Sequence, residues 1–318
     1  MKIQFYGVYT MRKPKIVVSK CLNSNKCRYD GQGYNDKVVS ALKEHVDIIN
    51  VCPEVGMGLS TPRKPIRLEK YDDGIKLVEY DSQIDYSSRM NEFTNNFFEN
   101  LEDVDGFILK SKSPSCGMND VKIYPKGSKC SISNKGSGIF FDRVKDKYSY
   151  LPIENEGRLK NYSIRDDFLT KIFTLNNLKE SNELSFFHND NKMLIKSYDE
   201  CGYDELHSII DKNDYEEYSK VLYNIFSNKR NKVKKLSIVE EMFNKYKNNL
   251  KDEEIKMFKS TLQSYNDGKI PFSALAIVLR MYAIRFDDKE MCSQTFFNPY
   301  PQELVTISDS GKRRDYRY

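Results

Sequence analysis

The chain has 318 residues, which is long for one ordinary core and about right for two domains of ~150 residues each. Hydrophobic residues make up 39% and charged residues 31%, a composition that excludes an intrinsically disordered chain. The net charge of +5 permits a polyanionic partner without requiring one.

Strands and helices alternate in the first half of the sequence. The predicted elements are, in chain order, a buried strand over 14–22, a helix over 36–45, a strand over 46–51, a helix over 83–101 and a strand over 105–110. A loop rich in Gly and Pro separates the second strand from the second helix. This alternation is typical of an α/β domain with a mostly parallel, Rossmann-like sheet.

The second half has a different character, because few turn residues interrupt its helical periodicity from Ser163 onward. Residues 156–162 have the composition of a linker. We therefore predict an α/β domain over residues 1–155, a linker over 156–162 and an all-α domain over 163–318.

Three cysteines each follow the carboxyl end of a predicted strand: Cys21, Cys52 and Cys116. The carboxyl ends of strands in an open α/β sheet face one crevice, so these thiols can converge. Thiolates suit iron–sulfur clusters, zinc and copper(I). The chain has no CxxC pair, which disfavours structural zinc, whereas three thiolates can hold a cubane cluster with one open, Lewis-acidic iron. The alternative for each cysteine is a place in the hydrophobic core.

The seven cysteines are an odd number and are unevenly spread, which favours free thiols or metal ligands over a disulfide framework. Cys27 remains open as a fourth ligand, a spare thiol or a packing residue. No apolar run is long enough to cross a bilayer and the sequence opens with no signal-peptide pattern. We therefore expect a cytoplasmic protein without a membrane partner.

Five motifs resemble, in order, the TudS-like thiouracil desulfidase family over roughly residues 12–150. They are Ser19-Lys20-Cys21-Leu22, Cys27-Arg28-Tyr29-Asp30-Gly31, the run from Val51 to Leu59, Pro62-Arg63-Lys64-Pro65, and Ser113-Pro114-Ser115-Cys116-Gly117. The second half resembles the helical domain often fused behind that family, through residues 187–192 and 294–304. The fused arrangement is similar to RudS-type enzymes, which act on 4-thiouridine in tRNA.

The resemblance implies a cofactor and a substrate. Cys21, Cys52 and Cys116 would hold a [4Fe–4S] cluster whose open iron takes the sulfur of a thiolated pyrimidine. Glu54 is the candidate base that activates the attacking water. The expected reaction is a non-redox hydrolysis of the C–S bond that releases hydrosulfide.

Other polar residues of the same motifs have predicted roles near the substrate. Ser113 or Ser115 would position the water or the pyrimidine ring. Arg28, Asp30 and Arg63 are candidate substrate-binding residues, since two arginines could grip a ribose phosphate. The equal alternative is that Arg28 and Asp30 form a structural pair.

Basic residues of the second half are candidates for RNA contact. One cluster comprises Lys229, Arg230, Lys232, Lys234 and Lys235, and residues 312–318 form another with interleaved tyrosines. His188 and Lys192 are predicted to share a helix face that contacts RNA. The alternatives are a solvated helix face and a histidine buried in the core.

Three functions are compatible with these patterns. The favoured one is a tRNA 4-thiouridine desulfidase. The second is a desulfidase for free thiouracil or 4-thiouridine monophosphate, and the third is a non-enzymatic iron–sulfur sensor that binds RNA. The sequence predicts no oligomeric state.

Overall fold

The computed structural model describes residues 12–305. The chain divides into two compact units between Phe168 and Leu169. We call Lys13–Phe168 the sheet unit, and residues 169–305, which group with Arg12, the helical unit. The residues of the predicted linker form turns after the last strand, and α5 (Tyr162–Glu180) spans the division.

The sheet unit contains two four-stranded sheets and four helices. Its strands are β1 (Lys15–Ser19), β2 (Asp47–Val51), β3 (Ile66–Tyr71), β4 (Gly74–Glu79), β5 (Gly106–Leu109), β6 (Val121–Pro125), β7 (Ser133–Gly136) and β8 (Ile153–Asn155). Its helices are α1 (Lys37–Leu42), α2 (Pro53–Gly56), α3 (Ser87–Glu99) and α4 (Ile139–Lys147).

The first sheet is parallel throughout, with strand order β2-β1-β5-β8. Its central strand carries Ile16, Val17 and Val18, all fully buried, as expected for β-branched residues in a sheet covered on both faces. The predicted α/β fold is confirmed here, and β1, β2 and β5 lie within the three predicted strands.

The second sheet was not predicted. Its order is β4-β3-β6-β7, with antiparallel outer pairs and a parallel central pair. β3 and β4 form a hairpin closed by Asp72 and Asp73, with Gly74 at a φ of +135°. Charged residues such as Arg67 and Glu69 interrupt the apolar pattern of β3, so periodicity alone does not reveal the strand.

The helical unit confirms the predicted change to helices. It contains most of α5 and then α6 (Leu184–Asp190), α7 (Lys192–Lys196), α8 (Glu200–Ile210), α9 (Tyr215–Ser227), α10 (Lys232–Tyr246), α11 (Asp252–Asn266), α12 (Phe272–Arg285) and α13 (Lys289–Ser293). Its core includes the fully buried Leu206, Leu222 and Leu279. Among residues 12–305, no helix is both long enough and apolar enough to span a membrane.

Candidate functional site

Two cysteines lie at the carboxyl edge of the parallel sheet because β1 and β2 are paired in register there. Ser19 of β1 pairs with Val51 of β2. Cys21 follows in a short 3₁₀ turn and Cys52 immediately precedes α2. Pro53 starts α2, where its fixed φ suits the first helical turn. The strand ends therefore bring Cys21 and Cys52 to the same edge, as predicted.

Cys27 joins these two thiols. Its side chain hydrogen-bonds with those of Cys21 and Cys52. The Cys52 thiol also donates to the Cys27 carbonyl oxygen, with 3.8 Å between sulfur and oxygen. The bond with Cys21 raises the pKa of Cys27, and burial adds to this. The bond with Cys27, followed by burial, likewise raises the pKa of Cys52. Cys27 is thus the neighbour of two predicted ligands, a position that its sequence context left open.

Cys116 reaches the same edge from the loop after β5. Burial raises the pKa of its thiol to about 12, and the charges of Cys52 and Glu54 contribute. The hydroxyl oxygen of Ser113 accepts hydrogen bonds from the backbone N–H groups of Ser115 and Cys116, both at 3.2 Å, which fixes the turn. Ser113 therefore shapes the loop that carries Cys116.

Gly138 allows the Cys116 turn to pack closely. A Cβ atom at this position would lie 2.4 Å from the backbone carbonyl of Ser115 and 2.6 Å from the Cys116 nitrogen. Backbone atoms cannot yield as a flexible side chain can, so a side chain at residue 138 would displace the turn.

Cys27 contacts Cys21 and Cys52, and the charge of Cys52 acts on Cys116, but these thiols form no ready site for a single ion. Within residues 12–305, no three His, Cys, Asp or Glu side chains are arranged to hold one metal ion. The thiol–thiol and charge interactions nevertheless connect Cys21, Cys27, Cys52 and Cys116. Thiolates are the usual ligands of iron–sulfur clusters, in which each ligand binds a different metal atom.

Glu54 lies on α2, close to the thiols, with both carboxylate oxygens engaged. Ser115 donates its hydroxyl to Oε1 at 3.1 Å. Arg63 donates to Oε2 through Nε at 2.9 Å and Nη2 at 2.5 Å. Ser115 is fully buried, whereas the Glu54 side chain is 14% exposed. The predicted base therefore lies in a fixed, mostly enclosed position beside Cys52.

Two stretches of the chain match known protein families. Residues 16–156 match the 2-thiouracil desulfurase family, and residues 192–301 match a family described as a protein of unknown function, DUF1722. Residues 16–156 are therefore similar to the 2-thiouracil desulfurase family. We refer to this part of the sheet unit as the desulfurase domain.

Two individual proteins are similar to the desulfurase domain. The uncharacterized protein YbbK of Bacillus subtilis (strain 168) is 29% identical over 148 residues, which cover 44% of this chain and 96% of YbbK. A solved structure described as the [4Fe-4S]-dependent thiouracil desulfidase TudS is 28% identical, covers 46% of this chain and 93% of that chain, and aligns with a TM-score of 0.36.

The predicted substrate-binding residues of the desulfurase domain already form bonds to other residues of the chain. Arg28 and Asp30 approach each other to 3.5 Å, which is the structural pair considered as an alternative. The Arg63 side chain is 6% exposed and bonds to Glu54 and to the carbonyl oxygen of Cys27. A phosphate could reach Arg63 only by breaking those bonds.

Three residues to which the sequence analysis assigned no role also line this edge: Ser19, Lys110 and Glu156. Ser19, which is buried, accepts a hydrogen bond from the Lys110 backbone N–H at 2.9 Å and hydrogen-bonds the Cys116 side chain. The Lys110 ammonium pairs with Glu156, whose carboxylate also accepts the Ser111 backbone N–H at 2.8 Å. Their place at the ends of β1, β5 and β8 is the only signal that could have revealed them.

In the helical unit, the prediction that His188 and Lys192 share a helix face is wrong. Asn191 ends α6, and Lys192 belongs to the next helix, so the two residues do not lie one turn apart on one helix. His188 is fully buried, with Nδ1 3.0 Å from the Tyr218 hydroxyl and its ring stacked on Tyr203. The core alternative describes His188, and an RNA contact through it is contradicted by its burial.

The predicted basic cluster is only partly a surface feature. Lys235 is buried with its ammonium 3.4 Å from the centre of the Phe272 ring, and Arg230 donates to the Ser197 hydroxyl at 3.1 Å. The remaining cluster residues, Lys229, Lys232 and Lys234, are partly or fully exposed. The second predicted cluster, residues 312–318, lies outside the described residues.

Proposed function

We propose that the chain is an iron–sulfur-dependent desulfidase that converts 4-thiouridine, most favourably in tRNA, to uridine and releases hydrosulfide. The observation that carries this proposal is that Cys21, Cys52 and Cys116 follow neighbouring parallel strands that end at one edge of the sheet, where Ser115 of the Cys116 loop donates its hydroxyl to Glu54. The match of residues 16–156 to the desulfurase family supports a thiolated pyrimidine as the substrate class.

The donor set fits a [4Fe–4S] cluster. Cys21, Cys52 and Cys116 would be its ligands, in line with the motif resemblance, and a cubane held by three thiolates keeps one iron open. The raised pKa values of Cys52 and Cys116 mean that cluster binding must displace their protons. Ser19 and Ser113, which hydrogen-bond the Cys116 side chain, would stabilise its thiolate.

The bound cluster would supply a Lewis-acidic iron that polarises the thiocarbonyl group. Glu54 accepts a proton from the water that attacks the pyrimidine carbon, and Ser115 orients the Glu54 carboxylate. A C–O bond forms and the C–S bond breaks, sulfur leaves as hydrosulfide with one proton, and no electron is gained or lost. The buried Ser115 thus acts through Glu54, whereas Ser113 holds the Cys116 turn.

Two alternatives have specific support. A desulfidase for free thiouracil or 4-thiouridine monophosphate is favoured by the burial of Lys235 and His188, which reduces the predicted RNA surface. An iron–sulfur sensor that binds RNA is favoured by Cys27, whose thiol contacts those of Cys21 and Cys52 and could complete the coordination. Mutating Cys27 to Ser separates the cases: activity survives in an enzyme with an open iron, whereas cluster loss favours the sensor.

The main test is anaerobic cluster reconstitution of the full chain, followed by measurement of hydrosulfide released from 4-thiouridine-containing tRNA and from 4-thiouridine monophosphate. We expect release from tRNA to fall steeply with salt, because an RNA interface releases counterions. Glu54→Gln should keep the cluster absorbance and lose roughly 10²–10⁴-fold in rate, the usual contribution of general base catalysis. Unchanged turnover by this variant would remove Glu54 as the base, and absence of hydrosulfide from every thiolated pyrimidine would remove the desulfidase.

A further inference from the structure

We propose that Arg63 is a positioning residue that fixes one oxygen of Glu54 and leaves the other free to accept the proton from water. This inference rests on the proposed function, because it assumes that Glu54 is the base. It replaces the prediction that Arg63 grips a phosphate of the substrate.

The two oxygens of Glu54 are unequally occupied. Oε2 accepts two hydrogen bonds from Arg63, whereas Oε1 accepts one from Ser115. A carboxylate has about four lone-pair sites, two on each oxygen. Oε2 is therefore saturated, and Oε1 retains one acceptor site. Arg63 thus determines which oxygen can bind and deprotonate a water molecule.

The donors of Arg63 are all directed into the chain. Nη1 lies 3.1 Å from the carbonyl oxygens of both Cys27 and Ser60, and Nη2 also donates to Cys27 at 3.1 Å. Nε and Nη2 hold Glu54, and the side chain is 6% exposed. An arginine whose donors are already used by partners within the chain has none to offer a phosphate without losing those bonds.

The same contacts join Glu54 to the loop that carries the cysteines. The Arg63 side chain bonds to the Cys27 carbonyl, and its backbone N–H donates to the Tyr29 carbonyl at 2.8 Å. A planar guanidinium can hold a carboxylate and a carbonyl at a fixed separation, which the single ammonium of lysine cannot do. Arg63 therefore sets the position of Glu54 relative to the thiols.

The second sheet supplies a matched control. Arg67 donates through Nε, at 2.9 Å, and through Nη2 to Oε1 of Glu69, as Arg63 does to Glu54. Glu69 is fully buried and Arg67 stacks on the rings of Tyr80 and Tyr124 at 4.0 and 4.5 Å. This pair is a similar fork without a thiol among its contacts, so its loss should affect stability and not the chemical step.

The first experiment measures kcat, KM and cluster absorbance for Arg63→Ala, Arg63→Lys and Arg67→Ala, using whichever of thiolated tRNA and 4-thiouridine monophosphate the wild type converts faster. We expect Arg63→Ala to lose about 10²-fold in kcat with KM unchanged, since a misplaced base weakens only the transition state. Arg63→Lys should lose activity despite keeping its charge, and Arg67→Ala should keep its kcat per cluster. Added guanidinium chloride at millimolar concentration should restore part of the kcat of Arg63→Ala alone.

A rise in KM with unchanged kcat in Arg63→Ala would restore the substrate-binding assignment and overturn this one. If Arg63→Ala fails to incorporate the cluster, Arg63→Lys decides: a normal kcat per cluster in that variant contradicts the proposal.

The second experiment combines the change with Glu54→Gln. In that background Arg63→Ala should have little further effect on kcat, because a positioning residue acts only through the group that it positions. Additive losses would show that Arg63 acts independently of Glu54 and would overturn the proposal. An active Glu54→Gln variant would instead defeat the assignment of the base, so the two failures are distinguishable.

Discussion

The two units use their buried polar residues in different ways. In the desulfurase domain, Glu54, Arg63 and Ser115 meet beside several thiols at a sheet edge where one acceptor site remains free. In the helical unit, the polar motif residues bond to each other across the chain. The Gln294 amide accepts the Met193 backbone N–H at 3.0 Å and donates to the Asn189 carbonyl at 2.7 Å.

The motif segments of the helical unit are therefore structural. Residues 187–192 and 294–304 carry its family resemblance, and the structure pairs them: the Thr295 hydroxyl donates to the Asn191 side chain at 2.6 Å, and its backbone N–H donates to the Asp190 carbonyl at 2.9 Å. A polar motif residue indicates chemistry where several titratable groups lie close together and a hydrogen-bonding site remains unused. Where polar side chains such as Gln294 and Thr295 bind other elements of the same unit, they indicate packing.

The largest effect should come from a predicted cluster ligand. Cys116→Ser should abolish cluster absorbance and hydrosulfide release, because a serine hydroxyl is a poor ligand for iron in a cluster built from thiolates. The matched controls are Cys130→Ser in the desulfurase domain and Cys201→Ser in the helical unit, both at exposed thiols. These should retain the cluster, and a functional Cys116→Ser protein would refute the ligand set.

The helical unit should respond to pH through His188. Burial, followed by the nearby charges of His207 and Lys192, lowers the pKa of His188 to about 4 from 6.5. Because the unfolded chain binds the proton more readily, this residue's stabilisation is present above pH 6.5 and is lost as the pH falls through 4. The full loss is about 3 kcal/mol.

Hydrogen exchange of α6 and α9 amides in the full chain, at pH 7 and pH 4.5, measures this effect. The loss of protection at the lower pH should be smaller in His188→Gln. Replacing the exposed His207 by Gln should leave most of that pH-dependent loss unchanged. Equal loss in the wild type and His188→Gln would show that His188 does not link the helical unit to pH.

Sequence patterns predicted the parallel sheet and the cysteine edge because both depend on local signals. Runs such as Ile16–Val18 mark buried strands, and a cysteine after each strand follows from the chain order. The contact between Arg63 and Glu54 had no such signal. Nine residues and a turn separate them, and the Cys27 carbonyl that Arg63 also holds is 36 residues away in sequence. Irregular loops fix such contacts through tertiary packing, which no periodicity encodes.

A smaller effect is expected at Gly138. Alanine there would bring a Cβ atom to 2.4 Å from the Ser115 backbone, and we expect overpacking to cost about 1–3 kcal/mol and to weaken cluster retention. Gly127→Ala is the control, because its φ of +67° makes alanine costly by roughly 1–2 kcal/mol although no atom lies within 4 Å. Urea unfolding and cluster absorbance should separate the two. Equal cluster retention would mean that the Cys116 turn tolerates displacement.

The smallest effect concerns the exposed cations of the helical unit. If tRNA contacts this unit, Lys229→Ala should reduce the slope of log affinity against log salt by about one, as expected for one lost phosphate contact. Lys235→Met should leave the slope unchanged, because Lys235 is buried against Phe272 and methionine retains much of its apolar stem. Binding of thiolated tRNA across a salt series measures both variants. A slope that changes with Lys235 and not with Lys229 would mean that the buried residue becomes exposed to RNA. The contrast between a sheet edge that carries the thiols and a tightly packed helical unit would then no longer hold.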